Sequence, residues 1–281
     1  MNGIVILNKP KGISSNTACR KVGRILNEKK AGHLGTLDPM AEGVLPVSLG
    51  KCTKLFDYYL KKNKEYVADF TFGYETDTLD ADGEIIFDGG LIPNENELKA
   101  VLNSFIGEQL QLPPKYSAKK VNGVRAYDLA RNDKDFSLEP KLITIFEFTL
   151  IEQVNYNTFR FKISCSSGTY IRSIARDLAK KLNTYATMTK LVRTKCGEFY
   201  LENSVDFDNI DESKILKLDN IFKDNLKINL NEMQYNEFIN SSRVQFMNSE
   251  TAENVCLCYN NDIISLGTLN MGYFISKIRF I

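Results

Sequence analysis

Histidine is all but missing from this 281-residue chain, which contains one, His33. Its six cysteines, Cys19, Cys52, Cys165, Cys196, Cys256 and Cys258, include no Cys-x-x-Cys pair, so a zinc site has few candidate ligands. Neither sign of charge is in excess: 36 Lys and Arg against 35 Asp and Glu give a net of +1, which neither requires nor excludes nucleic acid. No apolar run is long enough to span a bilayer, and the one in MNGIVILNKPKG is too short for a signal peptide. A reduced, cytoplasmic protein without metal or membrane contact is the expectation. There is no internal repeat, and no convincing glycine-rich strand–helix junction for a nucleotide donor.

What is present is an ordinary globular composition, 43% hydrophobic with 17 Phe and 13 Tyr, long enough for one large domain and an appendix. The charge is unevenly spread. Residues 1–64 hold twelve cations and four acids, and residues 65–99 hold one cation and ten acids, so a basic footprint can hide inside a neutral total. A solvated face explains any single run equally well.

Gly3–Leu7 reads as a strand closed by the turn Asn8-Lys9-Pro10-Lys11-Gly12. Ser14 or Ser15 then caps a helix to about Leu26, with Ala18, Val22 and Ile25 as its buried stripe. A glycine-rich loop follows, and YVADFTFGYETDT reads as a strand opening into an acidic loop. Pro93–Ile106 is helical, and Asn122-Gly123 marks a hairpin in a basic excursion over 112–127. Strands Leu142–Val154 and Thr158–Cys165 lead through Ser166-Ser167-Gly168 to a helix ending near Leu182. That helix buries Ile171, Ile174, Ala175 and Leu178 and puts Arg172 and Arg176 on a different face. Residues 202–231 are acidic and Asn-rich, a linker, and short strands such as NVCLCYN and DIISLG close the chain. Helices and strands mix without regular alternation, which predicts an α+β fold.

Three motifs fail on inspection. Gly50-Lys51-Cys52-Thr53 resembles the end of a phosphate loop, but Leu45 stands where the first glycine belongs. DTLDADGEI aligns with a calcium loop only by placing Thr78 first and Gly89 last, so it reads as a solvated turn. Ser166-Ser167 has no partner but the distant His33 and reads as a helix cap. In GHLGTLDPMAEGVLPVSLGKCT, Pro39 pushes Asp38 toward extended geometry, while Gly35 and Gly43 let the flanking backbone turn. Such a segment presents one carboxylate to a ligand; on the residues alone, an Asp-Pro turn former explains it better.

That segment resembles the active-site loop of the bacterial tRNA pseudouridine synthase B (TruB) family. NKPKGISS, KEYVADFTFGYETDTLDADG, LPPKYSAKKVNGVRAYDLAR, CSSGTYIRSIARDLA and LVRTKCGEF resemble further family segments in the family's order, covering most of residues 1–200. The resemblance implies an α+β catalytic domain on a largely antiparallel sheet, residues 1–225, and a small β-rich PUA-like RNA-binding domain, residues 226–281. It implies isomerisation of the T-loop uridine of tRNA (position 55) to pseudouridine, without cofactor, by a protein expected to be monomeric.

By the same resemblance Asp38 is the catalytic carboxylate, able to form a covalent intermediate or assist glycosidic cleavage. Tyr66 stacks on the target uracil, and Arg172 pairs with Asp38 and orients it, with Tyr170 lining the pocket beside them. Leu191 packs near the base, His33 contacts RNA, and Lys9 joins the substrate-binding set. The basic N-terminal region and Lys115, Lys119, Lys120, Arg125 and Arg131 meet phosphates, and the uridine is flipped out of its loop. Leu34, Cys52 and Val192 depart from the family's usual Thr, Ala and Arg. Three rivals stand beside this reading. An RNA-binding module would use the same basic segments without needing Asp38 beside Arg172, and a methyltransferase would require a donor nucleotide. A pseudouridine synthase for another RNA is the nearest alternative.

Overall fold

Residues 1–117, 120–121, 123–125, 129, 136–246 and 250–281 are described in the computed structural model. The chain begins with β1 (Gly3–Lys9) and α1 (Ser15–Ile25), whose cap is Ser14: its hydroxyl accepts from the Thr17 amide at 3.1 Å. Ala18 and Val22 are buried, but Ile25 is 41% exposed. The helix ends there, and Leu26 turns inward in its place.

The glycine-rich segment is less of a loop than expected. It contains β2 (Ala31–His33) and β3 (Glu42–Leu49), leaving only 34–41 irregular. β3 is buried along nearly all its length, so it lacks the in–out alternation by which a strand is recognised. Then come α2 (Phe56–Leu60) and β4 (Lys64–Phe72), with β5 (Tyr74–Thr76) and β6 (Ile85–Asp88) bracketing the acidic loop. α3 (Glu95–Leu102) starts in a capping box made by Asn94 and Glu97 and leads to β7 (Gly107–Gln111). β8 (Lys120–Val121) and β9 (Val124–Arg125) pair antiparallel on either side of the Asn122-Gly123 position.

β10 (Lys141–Asn155) and β11 (Thr158–Cys165) form the expected pair, followed by α4 (Ile171–Lys181), β12 (Ala186–Cys196) and β13 (Phe199–Tyr200). Ser166-Ser167 does not cap α4. Gly168 turns the chain at φ +77, the helix starts after Tyr170, and the Ser166 hydroxyl accepts from the Thr144 amide at 2.8 Å.

The central sheet runs β1-β3-β12-β4-β11-β10-β7, with β2 on β3 and β13 on β12. β3–β12 is its parallel pair; its other pairings are antiparallel. Phe70, Phe72, Phe159 and Phe161 share one core cluster with residues of α1, α3 and α4. The first part of the expected 202–231 linker, residues 202–216, instead runs along β1 through bridges Leu7–Val205 and Ile4–Leu216. The chain closes with β14 (Lys227–Asn229), α5 (Glu232–Ser241), β15 (Arg243–Gln245), β16 (Ala252–Tyr259), β17 (Asp262–Asn270) and β18 (Tyr273–Arg279). These strands form a second sheet, β14-β16-β17-β18-β15. Cys52, Leu55 and Tyr59 share a core cluster with Phe222, Cys256, Leu266 and Phe280, so the two sheets are sealed by apolar contact. The architecture is the expected α+β fold with a β-rich C-terminal part. All six cysteines are free and buried, and no described helix is long and apolar enough to cross a membrane.

Candidate active site

The site is organised around the irregular stretch 34–41, held by α1, by β1 with the turn after it, and by β12. From α1, Ser15 bonds Leu37 twice, its hydroxyl donating to the Leu37 carbonyl at 2.7 Å and accepting from the Leu37 amide at 2.8 Å. From β1, the Lys9 ammonium donates to the carbonyls of Pro10 and Ile13 at 2.8 Å and of Pro39 at 3.3 Å. The Gly12 amide meets Pro39, and the Ala41 amide meets Asp38 itself. From β12, Arg193 donates to Val44 at 2.7 Å and to Thr36 and Gly35 at 3.1 Å each. Gly43, at φ +98, passes so close to the Arg193 backbone that any Cβ would collide with it.

Asp38 therefore projects from a fixed backbone, and its carboxylate meets Arg172, with Oδ2 3.0 Å from Nη2. The Asp38 side chain is 37% exposed and that of Arg172 only 8%, so the arginine is the floor and the aspartate the accessible face. Arg172 is itself fully engaged. Nη1 lies 3.3 Å from Asp80 Oδ2 and donates to the Thr78 carbonyl at 3.0 Å, while Nη2 donates to the Tyr116 carbonyl at 3.1 Å. Buried, always charged and planar, it orients Asp38 in a way one ammonium could not. Asp80 corrects the solvated-turn reading of the acidic loop. It is 6% exposed, accepts from the Thr78 hydroxyl at 2.6 Å and from the Asp82 amide at 3.2 Å, and forms the far half of an Asp38–Arg172–Asp80 chain. Burial raises its pKa, opposed by the Thr78 hydroxyl and by Arg172.

Tyr66 on β4 lies opposite Arg193 on β12, and Leu191 lies opposite Ala68 on the same face. Both are buried, and burial pushes the Tyr66 hydroxyl up, so it stays protonated at neutral pH. Tyr170 is the N-cap of α4 and is fixed by Gln111, which accepts from its amide at 2.8 Å and donates to its carbonyl at 3.0 Å. Its hydroxyl is also raised by burial, with Asp38 adding to the rise. Asp38, Tyr66, Tyr170, Arg172 and Leu191 are thus linked through α4, β4, β12 and the two buried arginines.

Two residues sit differently from the expectation. Lys9 has no exposed surface, and its ammonium points at three carbonyls, so it positions Pro39 rather than reaching outward. Burial lowers it to about 8, against the pull of Asp38 and Glu42. His33, on β2, is half-buried with an edge-on contact to Phe56; burial and then Arg193 lower its pKa. Lys115 is exposed at the base of the excursion. Lys119 and Arg131 lie outside the described residues, as do the side chains of Lys120 and Arg125. Sequence reasoning missed Ser15, Arg193 and the role of Asp80. Arg193 left one signal, a cation two residues from Leu191 and therefore on the inward face of a strand.

The profile of the TruB family pseudouridylate synthase N-terminal domain matches residues 23–171. The chain is 37% identical to the tRNA pseudouridine synthase B of Francisella philomiragia, over all of this chain and 95% of that one. It is 43% identical to that of Clostridium tetani over 76% of this chain and 74% of the relative. A chain of the archaeal box H/ACA sRNP Nop10–Cbf5 complex shares the fold, with a TM-score of 0.70 over 99% of this chain and 86% of that one at 22% identity. Another, from a Cbf5–Nop10–Gar1 complex, has a TM-score of 0.68 at 24% identity, over 96% and 78%. The class is that of enzymes which turn uridine in RNA into its C-glycoside isomer, the pseudouridylate synthases. Within it, this chain belongs to the TruB family.

Proposed function

We propose that this protein isomerises the T-loop uridine of tRNA, position 55, to pseudouridine. The bond from ribose C1′ to uracil N1 breaks, the base turns, and C1′ is rejoined through C5, so every atom is conserved and no group is donated. The observation that carries the reading is Asp38, more than a third exposed on a braced loop with Arg172 3.0 Å behind it. A carboxylate so held meets the sugar of a nucleotide that has left its stack and serves as nucleophile or anionic catalyst in glycosidic cleavage. Tyr66 supports the base; its raised hydroxyl favours stacking over proton abstraction. Tyr170 and Leu191 complete the walls. Lys115 and the basic excursion over 112–127, with Lys119, Lys120, Arg125 and Arg131, track the phosphates, and His33 contacts the RNA.

The change of sheet at β14 supports residues 1–225 as the catalytic part and 226–281 as a small PUA-like RNA-binding part. The reading is of a monomeric enzyme, and its substrate supports a cytoplasmic one. The test is tritium release from C5-labelled unmodified tRNA transcript without added cofactor, with the product mapped by carbodiimide-stop reverse transcription. Release with a T-loop stop is expected. Release with a stop elsewhere would move the target, and binding without release would make this an RNA-binding protein only.

A further inference from the structure

Residues 75–97 hold eight acids and no Lys or Arg. Four of the acids are engaged: Asp80 with Arg172, Glu95 with Lys99, Glu97 in the cap of α3, and Glu75 in the field of Arg176. The other four, Asp77, Asp82, Glu84 and Asp88, pair with no cation among the described residues. Amid them β6 turns Ile85, Ile86 and Phe87 to solvent, and Leu91 beyond it is 76% exposed. β6 is an outer strand. It pairs with β5, whose other side is closed by the Thr187 hydroxyl, accepting from the Thr76 amide and donating to the Tyr74 carbonyl at 3.2 Å each. No strand covers the far edge of β6 among the described residues. Nor is this a frayed loop: the Phe87 ring stacks on Tyr185 at 4.9 Å, and the Leu91 carbonyl accepts from the Thr184 hydroxyl.

We infer that β6 and the turn after it form a docking face for a basic, apolar segment of another protein. An exposed apolar cluster rimmed by charge marks a surface that a partner covers. The acids select the kind of partner. A phosphate backbone, of RNA or of an anionic membrane, would meet uncompensated negative charge here, the reverse of what binding it requires. A second copy laid antiparallel on β6 would bring Glu84 and Asp88 of both chains onto one seam, and like charges facing each other across strands destabilise the pair. A protein segment with Lys or Arg beside apolar side chains supplies the cations that the four acids lack and covers Ile85, Ile86, Phe87 and Leu91. Such a face is separate from the chemistry at Asp38 and holds whatever the RNA substrate is.

Three short labelled peptides serve as probes: alternating Lys and Val, alternating Lys and Ser, and alternating Glu and Val. Binding to the full chain, free of RNA, is read by fluorescence anisotropy, and the contact is located by amide hydrogen exchange. The Lys/Val peptide should bind, protect residues 85–92, and weaken as salt rises from ~50 to ~200 mM. The other two should bind about tenfold more weakly, one lacking apolar contact and one lacking the cations. I85S/I86S/F87S should bring the Lys/Val peptide down to the level of Lys/Ser, and E84Q/D88N should weaken it and flatten its salt dependence. Both variants should keep wild-type tRNA affinity and turnover. Equal binding of the Lys/Val peptide by wild type and I85S/I86S/F87S, or protection elsewhere in the chain, would overturn the docking face. Loss of tRNA affinity in I85S/I86S/F87S would assign the face to RNA, and a wild-type dimer that this variant cannot form would assign it to a second copy; either result overturns the protein partner.

Discussion

Replacing Arg193 by lysine tests how the loop that carries Asp38 is held. The guanidinium is 1% exposed and donates to three carbonyls, of Gly35, Thr36 and Val44, which bracket Asp38 in the chain. A lysine ammonium keeps the charge but cannot span all three, so we expect two bonds to be lost. A hydrogen bond to a charged group is worth ~1.5 kcal/mol at the low end, giving a loss of about 3 kcal/mol. That is a large share of a total stability of about 5–15 kcal/mol, yet leaves a folded protein to assay. Urea unfolding should show the loss as a lower midpoint at unchanged slope. The loosened loop should also let Asp38 wander, and a shift of ~1 Å at a reacting group costs on the order of 100-fold in rate. Single-turnover kinetics on saturating tRNA should therefore fall while RNA binding holds. An unchanged midpoint together with a rate within a factor of two of wild type would refute the brace.

Asp80→Asn removes one of the two carboxylates on Arg172; the protein should fold and bind tRNA but turn over up to about 100-fold more slowly in single-turnover assays. Undiminished turnover would reduce Asp80 to a loop anchor. Tyr66→Phe should keep most of the substrate stabilisation and Tyr66→Leu should lose roughly 1–3 kcal/mol of it, read as kcat/KM; equal activities would argue against stacking. Lys9 gives a pH test. Its folded pKa is lowered to about 8 from 10.5, so between those values the unfolded chain binds more protons and stability rises with pH. The stability of wild type relative to Lys9→Met should therefore widen from pH 8 to 10.5 in urea titrations, and a flat difference would contradict the burial of a charged ammonium.

The long elements were legible because they are periodic. β11 falls where its alternation puts it, and α4 buries the four apolar residues of its stripe. β3 was hidden by burial on both faces, which erases alternation and leaves its Gly43 and Pro46 looking like loop. Ile25 fits the stripe of α1 by spacing, but the helix ends at that residue and nothing in the spacing announces it. Asp38 and Arg172 were legible through family resemblance and not through chemistry, since an Asp-Pro turn and a helix arginine are ordinary features. Arg193 and Asp80 were opaque for a different reason. Their roles depend on contacts across 149 and 92 positions of chain, to Val44 and Arg172, and no local pattern encodes such a meeting. Ser15 likewise reads as a cap candidate until Leu37 is seen against it.

The measurement that bears most directly on the account is single-turnover pseudouridine formation by Asp38→Asn, with tRNA affinity measured on the same preparation. Asparagine keeps the shape and can still meet Arg172, but it has no anion to offer the sugar. Wild-type affinity with no detectable pseudouridine is the expected result. Turnover at the wild-type rate would show that the carboxylate on the braced loop is not the catalyst.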